Sequence, residues 1–244
     1  MTVYAYPEEL NYPTIRKDKN WFNLEVFNIN NRQDSRKEKL SQSERLREKF
    51  KSLEKFVPKK FLYDNDQELV DNQKKFIYVS LGSMGSMDLE LMNRLLGTLA
   101  KSPSAHYKFI VSKGPRHEEL EWIFVNKNNF WGAEFLPQAQ MLQFVDLVIT
   151  HGGNNTVTEV FAEGKPMIVM PMFSDQFDNG QRLKETGLGV CLDPYHFTET
   201  ELFDAIEHLL SDEKLTMKLE QASKRIHSMK HHQKLADKIE EMFC

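Results

Sequence analysis

The chain has 244 residues, 40% of them apolar, enough to bury a sizeable core and to exclude disorder throughout. A net charge of −4 and an isoelectric point near 6.1 argue against a protein devoted to nucleic acid, because phosphate backbones are held by clustered Lys and Arg; a small anionic ligand is still compatible. No stretch approaches the roughly 20 apolar residues that cross a bilayer, the start lacks a signal-peptide core, and Cys191 and Cys244 form neither a metal nor a disulfide pattern, so a cytoplasmic chain without a transmembrane segment is expected.

Residues 1 to 30 include Pro7 and Pro13, show little periodicity and read as extended or loop structure. Between Arg32 and Lys60 there are eleven basic and five acidic residues, with Leu46, Phe50, Leu53 and Val57 at helical spacing, the pattern of an amphipathic helix with a basic outer face. A solvated helix packed by its apolar stripe accounts for this more simply than an electrostatic dock. After Asn72 the texture changes, which divides the chain into residues 1–71, a remnant and linker, and residues 72–244. Short apolar runs follow at 76–81, 107–112, 129–135, 146–150, 166–171 and 188–192. Helical patterns lie between them near 88–101, 117–126, 138–145, 154–163 and 176–186. Strands rich in Val and Ile that alternate with helices demand crossover connections, hence an α/β fold with a doubly wound parallel sheet. Thr198 and Glu201 then form a capping-box pattern ahead of further helices.

Ligands of such sheets bind where strand carboxyl ends lead into helix N-termini. Three such junctions carry unusual residues. In "VSLGSMGSMD", Gly82, Ser83 and Gly85 fit a tight turn and a phosphate cradle equally well. In "ITHGGNNTVTEVFAEGKP", a helix starting near Asn154 offers unpaired N–H groups and a positive dipole end to a phosphate, and Gly152 and Gly153 admit close approach. His151, Asn155 and Thr156 add donors, while Glu159, two turns on, can accept from paired sugar hydroxyls. Each alone has an ordinary reading: a loop histidine bonded to backbone, a solvated carboxylate. Gly164 reads as a left-handed helix cap. In "PMFSDQFDN", Asp175 and Gln176 precede another helix, and an N-capping aspartate is the simplest reading.

"FLPQAQML" followed by "VITHGGNNTVTEVFAEGKPMIVMPMFSDQFDNGQRLKETGLGV" resembles the donor-binding signature of the UDP-dependent glycosyltransferases, over residues 76 to about 210 and more faintly at "YPEELNYP". The resemblance implies the C-terminal, Rossmann-like half of a two-domain GT-B enzyme that transfers a hexosyl group with inversion from a UDP-sugar to a small lipophilic acceptor hydroxyl. It implies that Phe135 stacks on uracil, with Leu136 and Gln138 at the base edge. His151, Gly153, Asn155, Thr156, Gly82 and Ser83 would hold the diphosphate, Glu159 the ribose, and Asp175 with Gln176 the transferred sugar. The UDP-sugar is then a co-substrate, and no metal or other cofactor is expected. Departures are Phe135 where many relatives have Trp, Asn154 where plant members often have Trp, and a short segment between Gln138 and His151. The family's catalytic histidine lies in an N-terminal acceptor domain that this sequence does not contain. His106, His117, His196, His208, His227, His231 and His232 match no family motif and read as surface or helix residues. No catalytic residue is therefore expected in this chain, and the acceptor would be met through the missing domain. The rival readings are a non-catalytic UDP-sugar-binding module, which would show an apolar surface for a second domain, and a GT-B nucleotide-sugar epimerase.

Overall fold

The computed structural model describes residues 1–13, 20–27, 42–63 and 74–243. The expected boundary at Asn72, Cys244 and the basic run from 28 to 41 lie outside the described residues.

The first described elements are strands β1 (Thr2–Tyr4) and β2 (Trp21–Asn23), then helices α1 (Gln42–Leu53) and α2 (Lys59–Leu62). Strand β3 (Lys75–Ser80) leads through a helical turn, α3 (Gly82–Gly85), into α4 (Leu89–Leu99). Next come β4 (Tyr107–Ser112), α5 (Glu121–Asn126), β5 (Phe130–Ala133), α6 (Gln138–Met141), β6 (Leu147–Thr150), α7 (Asn154–Ala162), β7 (Met167–Val169), α8 (Asp175–Thr186) and β8 (Val190–Cys191). Helices α9 (Glu199–Ser211), α10 (Glu213–Ser228) and α11 (His231–Phe243) close the described chain.

Strands β3 to β8 form one sheet in the order β5-β4-β3-β6-β7-β8, and every neighbouring pair is parallel. The buried runs explain it: Phe76 to Val79, Phe109 to Val111 and Leu147 to Ile149 are almost wholly excluded from solvent, as strands covered on both faces must be. Chain direction reverses its march across the sheet between β3 and β6, which makes these two central strands the topological switch point. All six apolar runs are strands, although β7 and β8 are cut to three and two residues. The expected capping box is present in full, with Thr198 accepting from the Glu201 N–H and the Glu201 carboxylate accepting in return. Gly164 has φ +65, as a left-handed cap requires. Phe50, Leu53, Val57, Phe61 and Leu62 share the core of the sheet, and the Phe50 ring meets Phe76 edge-on at 5.4 Å, so this segment packs onto the α/β body through Phe50, Leu53 and Val57 of the expected stripe, the Leu46 side chain lying outside what is described.

The N-terminal stretch departs from expectation. β1 and β2 form a two-stranded parallel sheet, with Thr2 opposite Trp21 and Tyr4 opposite Asn23. Strands of three residues carry no periodicity, and a parallel partner lies a whole connection away in sequence, so local pattern is silent there. Carboxylates and cations fasten this stretch to the C-terminal helices. Glu25, 1% exposed and held at φ 62, pairs with Arg225 of α10, which also binds Glu9 at 2.8 Å. His231, expected to be a surface or helix residue, starts α11 but is buried, with Nε2 3.3 Å from Glu25. Glu25 and Glu9 hold the Arg225 guanidinium well above its usual range. Replacing Arg225 by Ala leaves the Glu25 carboxylate buried without its main partner, and urea unfolding should show a loss of about 3 kcal/mol. A loss below about 1 kcal/mol would mean that the cluster is only a surface pair.

Candidate functional site

At the switch point the connections from β3 and β6 leave on opposite faces, opening a crevice at the carboxyl ends of these strands. Gly82, at φ +69, starts the turn after β3, and His151 follows β6 directly. The imidazole lies between two glycines. A Cβ on Gly82 would come within 2.8 Å of its Cε1, and one on Gly153 within 2.5 Å of its Nε2. Gly82 and Gly153 thus leave room for the ring, whereas Gly152, at φ +85, is fixed by its backbone and by Val169, whose Cγ1 a Cβ would meet at 2.4 Å. Thr150 Oγ1 is 3.2 Å from Nδ1, and Ser80 bonds the ring through its backbone. Burial pushes the His151 pKa below its ordinary 6.5, against opposing pulls from the Ser80 bond and the Asp175 charge, so the ring is neutral at pH 7.

Helix α7 begins beside this ring. Gly153 is its N-cap and, having no side chain, makes no capping bond of its own. The first intrahelical bond runs from the Val157 N–H to the Gly153 carbonyl, so the helix itself leaves the N–H groups of Asn154, Asn155 and Thr156 without partners. Asp175 takes the first of these: its Oδ2 accepts from the Asn154 N–H at 2.9 Å. The reading of Asp175 as the cap of its own helix is thus corrected. α8 starts from Ser174, which sits at φ 57 without capping, and Asp175 reaches across to the neighbouring helix. Asn179, one turn along α8, donates to the Gly152 carbonyl at 2.9 Å and fixes the same loop. Sequence reasoning missed Asn179, although its i+4 spacing from Asp175 places both on one face of α8.

Along α7, Thr156 and Glu159 share a face, as expected. The Gln138 side-chain amide, from the start of α6, donates to Glu159 Oε2 at 2.9 Å and to Thr156 Oγ1 at 3.2 Å. Gln138 is thereby engaged with the α7 acceptors. Phe135 follows β5 and is 62% exposed, while Leu136 packs against the core. The N–H groups of Lys113 and Gly114 continue the β4–β5 ladder to the carbonyls of Ala133 and Glu134, which delivers Phe135 to the rim. Gln176 is buried and turned inward, its Oε1 accepting from the N–H groups of Met172 and Phe173 at 2.8 and 3.2 Å, so only its NH2 could serve a ligand. Ser83 is exposed on the turn after β3. The structure thus gathers all twelve expected residues at one end of the sheet, on the connections following β3, β5, β6 and β7. No described helix is long and apolar enough to cross a membrane.

A family model described as "UDP-glucoronosyl and UDP-glucosyl transferase" matches residues 57–235. The chain belongs to this family. Over 205 residues it is 28% identical to the NDP-glycosyltransferase YjiC of Bacillus subtilis, covering 76% of this chain and 52% of that protein. Against the human 2-hydroxyacylsphingosine 1-beta-galactosyltransferase the identity is 28% over 145 residues, covering 58% of this chain and 25% of the relative. The chain thus spans a quarter to about half the length of such curated relatives. Among solved structures, the glycosyltransferase SnogD from Streptomyces nogalater matches 98% of this chain and 55% of its own at a TM-score of 0.66 and 16% identity. The rhamnosyltransferase SpnG complexed with thymidine diphosphate matches 69% of this chain and 46% of its own at a TM-score of 0.57 and 23% identity. The fold is the α/β, Rossmann-like one of GT-B glycosyltransferases.

Because burial lowers the His151 pKa, the unfolded chain binds this proton more readily than the folded one. Its contribution to stability is complete above about pH 6.5 and falls as the pH drops below that value. An NMR titration of the ring should show a midpoint below 6.5, and one at or above 6.5 would contradict the burial argument.

Proposed function

We propose that this chain is the donor-binding half of a UDP-glycosyltransferase, and that the crevice between β3 and β6 takes the UDP part of a UDP-sugar. The observation that carries this reading is the arrangement along α7. Unpaired N–H groups and a neutral imidazole at its start suit a diphosphate, and the Glu159 carboxylate one to two turns on suits the paired hydroxyls of ribose. The exposed ring of Phe135 supplies a π-face for the base beyond the ribose, with the Leu136 backbone at the base edge. Gly82, Ser83, Gly153, Asn155 and Thr156 line the diphosphate, and Gln138 braces Glu159 and Thr156 from α6. Asp175, exposed at the mouth of α7, faces the transferred sugar together with the NH2 of Gln176. Helix dipole and neutral donors would stabilise the charge that develops on the diphosphate as it leaves, so that no metal ion is needed. That SpnG, of similar fold, is complexed with thymidine diphosphate is in keeping with a pyrimidine nucleotide here.

In the complete reaction an acceptor hydroxyl loses its proton to a base and attacks the anomeric carbon from the face opposite the departing UDP, which inverts the configuration. Neither the base nor the acceptor pocket is assigned to this chain. Two features favour a second α/β layer as their source. Met84, Phe173 and Phe177 are 68%, 46% and 54% exposed on connections at the same end of the sheet, an apolar rim for an acceptor or its domain. Strands β1 and β2 are a parallel pair with exposed faces, and parallel strands ordinarily lie inside larger sheets covered on both sides. An apolar rim would equally serve a non-catalytic binding module, but membership in a transferase family favours catalysis by the assembled enzyme.

Calorimetry should show UDP binding with ADP and GDP much weaker, and equal affinity for all three would remove the uracil assignment. Glu159→Ala should weaken UDP by about 1.5–3 kcal/mol, the scale of hydrogen bonds to a charged group, whereas Asp175→Ala should chiefly reduce the advantage of a UDP-sugar over UDP. Similar losses of UDP affinity in both would reverse the proposed orientation of the donor.

The purified chain, incubated with UDP-glucose and a panel of phenols, should bind the donor and form no glycoside detectable by mass spectrometry. A positioned base is typically worth about 10²–10⁴-fold and the juxtaposition of reactants more. Turnover lost in a His151→Ala variant that still binds UDP would overturn the division of labour.

A further inference from the structure

Asn154 is held from two sides at the mouth of the crevice. Its backbone N–H goes to Asp175, and its side-chain Nδ2 donates to the carbonyl of Ala5 at 3.2 Å, across 149 residues of sequence. Ala5 is buried and belongs to the stretch that runs from β1 to Tyr12. The far end of this stretch is gripped by α8. Arg182, itself 7% exposed, donates Nε to the Leu10 carbonyl at 2.8 Å and Nη2 to the Asn11 carbonyl at 2.9 Å, with its guanidinium 4.4 Å from the centre of the Tyr12 ring. α8 is the helix whose Asp175 and Asn179 hold the Asn154 N–H and the Gly152 carbonyl. Residues 5–12 therefore bear on the phosphate turn twice, directly through Asn154 and indirectly through α8. Both grips are made to backbone carbonyls, so they register where this segment lies whatever side chains it carries.

We propose that residues 5–12 are a strap over the donor site and that Asn154 and Arg182 are positioning residues for it, an inference that rests on the donor reading given above. With the strap seated, the first turn of α7 is fixed from both sides, and the N–H groups of Asn155 and Thr156 are aimed at the diphosphate before it arrives. Binding to a pre-aimed site loses less freedom than binding to a loose one. Linkage then requires the reverse effect: a bound diphosphate holds the strap in place. The strap is covalently continuous with β1 and is tied to β2 by the reciprocal bonds of Tyr6 with the Asn23 side chain. Occupancy of the donor crevice is thereby communicated to the parallel pair.

The test measures UDP affinity by calorimetry and amide exchange of the peptide spanning residues 5–12, with and without UDP, in the full chain, in Asn154→Ala and in Arg182→Lys. Asn154→Ala keeps the backbone bond to Asp175 and removes only the side-chain bond to Ala5. Arg182→Lys keeps the charge but loses the planar fork whose Nε and Nη2 span the Leu10 and Asn11 carbonyls. In the unsubstituted chain UDP should slow exchange at Tyr6, Glu8, Leu10 and Asn11. Both variants should bind UDP about fivefold more weakly, the lower end of ordinary coupling between sites, and their strap should no longer respond to it. UDP binding with no change in exchange at residues 5–12, or variants that lose affinity while the strap still responds, would overturn the strap and leave the donor reading standing. Absence of UDP binding to the unsubstituted chain would overturn both.

Discussion

The constraint on which everything else depends is that six parallel strands reverse their order at one place. A parallel sheet sends every connection across one of its faces, and only between β3 and β6 do neighbouring connections leave on opposite faces. Space is left there without any loop having to be carved out. The ends of helices then decide what the space will accept. α7 starts at its edge from a glycine N-cap, and the N–H groups of its first turn that Asp175 leaves open make the crevice attractive to an anion. Gly82 and Gly153, on either side of His151, let a neutral imidazole lie against the backbone and offer a donor without a fixed charge.

A second consequence follows from the acidic side chains nearby. Asp175 occupies the first N–H of α7 and leaves the next two, those of Asn155 and Thr156, open at the helix mouth. Glu159 lies on the far side, and Gln138 spans from it to Thr156. A carboxylate at each end with donors between matches the polarity of a nucleotide sugar: hydroxyls, then phosphates, then hydroxyls again. This alternation, more than any one residue, is what favours the proposed donor over a simple anion.

Much of this was legible in the sequence because it is local. The strands at Phe76, Tyr107 and Leu147 announce themselves by short runs rich in Val, Ile and Phe, and α9 by Thr198 and Glu201. His151, Gly153 and Glu159 were readable because strand end, glycine and helix face follow each other within one turn or two. What was not legible depends on partners distant in the chain. β1 and β2 have three residues each and pair in parallel across a long connection. The target of Asp175 is a neighbouring helix, while local spacing points to its own. Glu25 and His231 come from opposite ends of the described chain, and nothing around either residue foretells the other. The partners of Gln138 and Gln176 were not legible either, because the groups they bond are backbone or side chains that only the packing of loops brings near.

The account is tested most directly by a crystal structure of the chain with UDP. It predicts phosphate oxygens within hydrogen-bond distance of the Asn155 and Thr156 N–H groups and of His151, ribose hydroxyls on Glu159, and uracil against the ring of Phe135. Density for the nucleotide away from the β3–β6 crevice, or in it with the base at Asp175 and the phosphates at Phe135, would contradict the account.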